Sequence, residues 1–119
     1  MEEQEILFKR LKDIKDGWVK GSVDGLKKND SLIWSEKKDA YDILSNIINN
    51  EVTYNAYQDV LNEIIEGVLH SILVMLDGGD ELTDKFNIDI INADTKKSLK
   101  EDIALNEEFI GYLLDVEEE

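Results

Sequence analysis

Apolar residues recur at helical intervals through most of the chain. In "EEQEILFKRLKDIKDGW", Ile6, Leu11, Ile14 and Trp18 follow the 3.6-residue period, with Phe8 loosely in the series and acids in the first turn. "GWVKGSVDGLKKND" carries three glycines in nine residues and reads as a loosened helix end or a connection. Ser35 is placed to cap a second helix, "EKKDAYDILSNIINN", whose Tyr41, Leu44, Ile47 and Ile48 share one face and whose asparagine pair is a natural stop. Thr53 then opens the longest helical pattern, "YNAYQDVLNEIIEGVLHSILVMLDGG", in which Tyr57, Val60, Leu61, Ile64, Val68, Ile72 and Met75 form one stripe, thickened by Ile65, Leu69 and Leu76. Gly78 and Gly79 end it, because glycine takes the left-handed conformation that closes a helix.

The period then changes. "FNIDII" alternates from Phe86 through Ile88 to Ile90, and "NADTKK" is a turn candidate. "SLKEDI" reads either as a return strand or as helix, so residues 95–104 stay open between the two. "NEEFIGYLLDV" closes the chain as a helix capped by Asn106, with Phe109, Leu113 and Val116 inward. These elements predict a mainly α, single-domain helical bundle over 1–119, with three to five helices and room for a short β-hairpin around 86–100. The expected core is Ile6, Leu11, Leu44, Ile48, Leu61, Ile64, Val68, Ile72, Met75, Phe109 and Leu113. On that reading, Val68→Asp buries an unpaired charge and costs several kcal/mol, roughly.

Charge changes this picture most. The 13 Lys and Arg against 28 Asp and Glu give a net −15. Residues 61–119 hold 4 bases and 16 acids, against 9 and 12 in residues 1–60, and no Lys or Arg lies between Lys38 and Lys85. A field of this sign repels phosphate backbones and anionic membranes, which argues against direct nucleic-acid or membrane binding. It speeds encounter with a basic protein, although acidity also serves solubility alone. The chain has no cysteine, so disulfides, thiol catalysis and thiolate metal sites are excluded. The N-terminus opens acidic without the apolar core of a signal peptide, and "ILVML" falls far short of the ~20 residues that cross a bilayer. A cytoplasmic protein is the expectation.

The segment "DGGDELTD" invites a metal reading. Counted from Asp77, however, an EF-hand loop would have Gly79 and Glu81 at positions 3 and 5, Leu82 where glycine belongs, and Ile88 where the bidentate glutamate belongs. A glycine-reversed, solvated acidic loop is the simpler reading. His70 is the sole histidine, so zinc lacks its ligands. Ser71 beside it points about 100° away on a helix, which separates base from nucleophile. Glu66 can pair with His70 one turn on, as an ordinary helix-surface contact. Glu63 and Glu66 could project together, but a di-iron site needs Glu-x-x-His on two helices, and "EGVLH" has the wrong spacing. No phosphate-cradling glycine motif is present. No catalytic residue, metal or cofactor is therefore expected. Among the aromatics, Tyr57 and Trp34 fit core packing better than an interface, Tyr112 is a third large residue beside polar neighbours, and Tyr54 is the best candidate for exposure.

The segments "EIIEGVLHSILVMLDGG", "FNIDII" and "EEFIGYLLD" together resemble the helix, short strand and helix layout of small acidic immunity proteins, which accompany bacterial polymorphic-toxin and contact-dependent growth inhibition systems. The resemblance covers the second half of the chain and carries no pair-specific binding residue with it. It implies a cytoplasmic, stoichiometric inhibitor whose partner is a basic, nuclease-type toxin domain. An acidic surface can occupy a nucleic-acid-binding cleft in place of phosphate, and steering makes capture fast. Independently of the resemblance, the partner-facing candidates are Asp77, Asp80, Glu81, Asp84 and Asp89 around the turn, then Glu63 and Glu66 on the preceding helix with Tyr54 as an aromatic anchor. The rival reading is a regulatory or adaptor domain that binds another protein, or itself, through its long helix.

Overall fold

The computed structural model describes residues 2–29 and 35–117, and its α-helices are α1 (Glu2–Lys28), α2 (Lys38–Ile47), α3 (Glu51–Leu76) and α4 (Leu105–Glu117). The fold is mainly α, as the periodicity predicts. Trp34, expected in the core, lies outside the described residues.

Several boundaries differ from expectation. The glycine-rich stretch after Trp18 is not a loosened end: α1 runs on to Lys28 and stops only at Asn29, whose φ of 54° is left-handed. Val19, Val23 and Leu26 are buried along that stretch. Burying each is worth about 1.5–3 kcal/mol, which exceeds the ~1 kcal/mol that each helical glycine costs. Ser35 does not cap α2 directly; its Oγ accepts from Lys37 N at 3.0 Å, one turn of chain ahead of the helix. Asn50, ahead of the first helical residue Glu51, caps α3, which thus starts before Thr53. The Asn50 side chain accepts from Thr53 N at 3.0 Å and Thr53 Oγ1 accepts from Asn50 N at 3.1 Å, a reciprocal capping arrangement.

The hairpin shrinks to one antiparallel bridge, Ile91 to Ser98, and no strand forms among the described residues. Leu99 N donates to Ile90 O and Asn92 N to Lys97 O, but Lys96 must take a φ of 65° to close the turn, and residues 99–102 turn again. The chain leaves the pairing before a second rung can add. Residues 95–104 are thus neither strand nor helix.

Contacts divide the chain into two compact units, residues 1–13 with 66–119, and residues 14–65. In the first, Phe8, Leu73, Leu105, Phe109 and Leu113 are the buried cluster, with Leu11, Leu69, Leu76, Ile90, Ile103 and Tyr112 packed against it. The Phe8 ring lies 5.5 Å from that of Phe109 and 5.9 Å from that of Tyr112, both tilted. In the second, the three buried aliphatics of α1 are joined by Lys15, fully buried, whose Nζ donates to Asn62 Oδ1 at 2.9 Å and lies 3.3 Å from Asp16. Burial pushes the Tyr57 phenol above its ordinary value, with Tyr41 adding in the same direction.

The expected core needs correction. Phe109 and Leu113 are buried, and Leu11, Ile48, Leu61 and Met75 are half-buried, but Ile6, Leu44, Ile64, Val68 and Ile72 are exposed. The apolar residues of α3 spread round more of the helix than one packed face can use, and the side through Leu69, Leu73 and Leu76 is the one that packs. Gly67 sits opposite that side, where an added Cβ would meet nothing within 4 Å. Gly67→Ala is therefore expected to raise stability by about 0.5–1 kcal/mol, read as a higher melting temperature by circular dichroism.

Candidate functional site

The acidic turn after α3 is built by glycine geometry. Gly78 has a φ of +80°, which favours glycine, and a Cβ at Gly79 would be crowded, 3.0 Å from Val74 Cγ1 and 3.3 Å from Val74 O. Gly79 N bonds Val74 O and Gly78 N bonds Met75 O, which closes the helix as expected.

Asp77 is the first surprise. Its Oδ1 accepts from Leu105 N at 2.9 Å, and its Oδ2 accepts from Asn106 N at 2.8 Å and from Asn106 Nδ2 at 2.6 Å. A carboxylate from the end of α3 thus caps the first turn of α4, where amides lack intrahelical acceptors and the helix dipole favours an anion. Asn106 does not cap the helix; it belongs to the first turn and donates to the cap. Lys100 supplies the opposite brace, since its Nζ donates to Leu76 O and Ile88 O, each at 2.7 Å. An ammonium on the last carbonyl of α3 suits the negative end of that dipole. The sequence offered no local signal for either bond, because each joins positions 24 or more residues apart in chain (Lys100–Leu76, Asp77–Leu105).

With Asp77 committed to the fold, the remaining turn acids are the surface. Glu81 and Asp84 belong to a single 3-10 turn (Glu81–Asp84), which Asp80 caps by accepting from Leu82 N at 2.9 Å. Asp80, Glu81, Asp84 and Asp89 are all exposed. Asp89 Oδ1 accepts from Ile90 N and from Ser98 Oγ at 2.7 Å, so it also fixes the bridge region. The turn brings Asp80, Glu81 and Asp84 together; Asp89 follows on the extended segment. The α1 end pins the far side of this region: Gln4 Nε2 donates to Leu99 O at 2.8 Å and Asn92 Nδ2 donates to Glu3. Between them lies an open groove of about 280 Å³ lined by the polar residues Glu2, Glu3, Gln4, Lys97, Ser98, Glu101 and Asp102.

On α3 itself, Glu63 is exposed and Glu66 half-buried. Tyr54 is half-buried rather than presented, with Lys27 Nζ 5.0 Å from its ring centroid, so a cation already occupies one face of the proposed anchor. His70 is half-buried, and its Nδ1 is enclosed without a hydrogen bond among the described residues. Tyr112 packs on Phe8 rather than facing a partner. Among the described residues, no three His, Asp or Glu side chains are placed to hold a metal ion, and no helix is long and apolar enough to cross a membrane.

Ile64, Val68 and Ile72, expected in the core, and Val60, expected on the same stripe, are all exposed on α3, and so is Val52, with Ala56 filling the one gap in their four-residue spacing. Glu63 and Asp59 border this stripe and are exposed with it. The periodicity that predicted burial was correct as a pattern; the helix simply buries its other side. Compared with known families, curated proteins and solved structures, the chain matches none.

Proposed function

We propose that the protein is a stoichiometric protein-binding inhibitor, and in its sharpest form a cytoplasmic immunity protein that neutralises a basic, nuclease-type bacterial toxin. The observation that carries this reading is the exposed acidic turn held on a braced frame. Asp80, Glu81, Asp84 and Asp89 face solvent, while Asp77 and Lys100 fix the ends of the segment that bears them. Preorganised charge loses little entropy on binding, and a chain of net −15 steers a basic partner from a distance. Nucleases that grip phosphate are basic in their clefts, so the same surface both attracts and obstructs them.

The test begins with the partner that the tagged protein captures from its own cells. That partner should be basic, and its nuclease activity should titrate to zero at one equivalent of inhibitor. Its association rate should fall at least about tenfold between ~50 and ~500 mM salt, with dissociation changing far less, because screening acts over a Debye length of about 10 Å or less. Glu81→Lys with Asp84→Lys is the clean charge reversal, since these two carboxylates make no hydrogen bond or ion pair with any described residue, whereas Asp80 and Asp89 hold backbone. The double variant should associate several-fold more slowly at low salt with an unchanged melting temperature. An acidic partner, or equal association rates for the two proteins, would overturn the reading. A partner that is basic but has no toxic activity would leave an adaptor, the second class of function consistent with the exposed long helix.

A further inference from the structure

We infer that the exposed face of α3 is a second contact surface, one that docks an amphipathic helix of the partner carrying Lys or Arg along one border. The inference deepens the preceding reading and rests on it only for the sign of the partner's charge.

The starting point is one uninterrupted helix. Val60, Ile64 and Val68 are 55%, 56% and 53% exposed, and they follow one another at four-residue spacing. Each such step rotates about 40° round the axis, so a straight partner helix meets roughly three consecutive members before the ridge winds away. Those three form a contiguous apolar surface on the order of a few hundred Å², the size at which an exposed patch on a soluble protein marks a contact site. Ridges of this kind interlock with the same ridges on a partner helix at a crossing of about −50°.

Gly67 gives a second, separate observation. It lies beside Val60 and Ile64, about 20° and about 60° round the axis from them, and a Cβ there would meet nothing within 4 Å. No contact among the described residues uses the missing side chain. A partner backbone crossing at Gly67 would use it, because absence of a Cβ lets two helices approach closely.

Charge selects the occupant. Exposed Glu63 and Asp59 edge the apolar face, and α3 itself carries no Lys or Arg. A second copy of this chain would bring the same acids and another net −15, with no base from its own α3. A partner helix with a basic border meets both the apolar ridge and the acids, and like charges on the wrong partner are rejected.

Two fluorescein-labelled synthetic 18-residue peptides test this by anisotropy. Both carry leucine at positions i, i+3, i+4 and i+7 of each repeat, one with lysine and one with glutamate at the remaining border positions. The lysine peptide should bind at least about tenfold more tightly than the glutamate peptide. Ile64→Lys and Gly67→Leu should each weaken its binding about tenfold or more, while their circular dichroism melts show an intact fold. Glu81→Lys with Asp84→Lys should leave it within about twofold, so the peptide assay and the association-rate assay fail independently. Peptide affinity unchanged by Ile64→Lys and by Gly67→Leu would overturn the inference. So would equal losses from Ile64→Lys and the turn reversal, which would reduce the binding to general charge attraction. A solution mass of twice 13.7 kDa at about 100 μM, returned to one chain by Ile64→Lys, would overturn it in favour of self-association.

Discussion

Asp77→Ala is expected to destabilise the protein by about 3 kcal/mol, far more than loss of any exposed acid of the turn that follows it. The carboxylate accepts three hydrogen bonds at the start of α4, two of them from backbone amides. Loss of a helix cap alone costs about 0.5–2 kcal/mol, and loss of an anion from the helix N-terminus adds about 0.3–1 kcal/mol. The amides of Leu105 and Asn106 are then left short of an acceptor beside the fully buried Leu105 side chain, which puts the cap at the upper end of that range. Asp80→Ala removes one exposed bond to Leu82 N and should cost about 0.5 kcal/mol. Urea denaturation of the two variants separates the roles: midpoints lowered equally would mean that Asp77 is decoration like its neighbours. Asp77→Asn, which keeps an acceptor and loses the charge, should fall between wild type and Asp77→Ala.

That contrast bears on how much the sequence could reveal. Helix identity was legible wherever a long apolar period ran beside polar residues, as in α3 and α4, and the two glycines after Leu76 marked their turn correctly, Gly78 because its φ of +80° favours glycine. The metal-like spacing around Asp77 was legible as a failed calcium loop, yet its actual task was not, since the amides that it serves lie 28 and 29 residues on. Long-range caps leave no local trace. The same holds for Lys15, a base within the charged stretch of α1 that is buried against Asn62, 47 residues on. The direction of a helix was the other hidden quantity. Period fixes which residues share a side, but on α3 apolar residues occur nearly all round, so sequence alone could not decide between the side of Leu73 and the side of Val68. Of the candidate surface residues, Asp80, Glu81, Asp84, Asp89 and Glu63 are exposed; Asp77 and Tyr54 are engaged within the fold.

The side that α3 does bury can be measured through its neighbours on α1 and α4. Phe8→Ala is expected to cost about 3–5 kcal/mol, since large-to-small changes at fully buried aromatic positions lose both transfer free energy and packing around the cavity. Phe8 is completely enclosed, and its ring touches Phe109 and Tyr112, so the deletion also removes two tilted aromatic contacts worth about 0.5–1.5 kcal/mol each. Against a total stability of about 5–15 kcal/mol, that loss would leave the first unit marginal. Val68→Asp is the control. Were Val68 in the core, as its spacing first suggests, the buried carboxylate would cost as much as Phe8→Ala. At 53% exposure the new charge stays in water, and the expected loss is about 1 kcal/mol or less. Paired urea melts give the decision directly: a Val68→Asp midpoint near wild type with a Phe8→Ala midpoint far below it places the core on the Leu73 side, and the reverse order would place it under Val68 and remove the exposed face of α3.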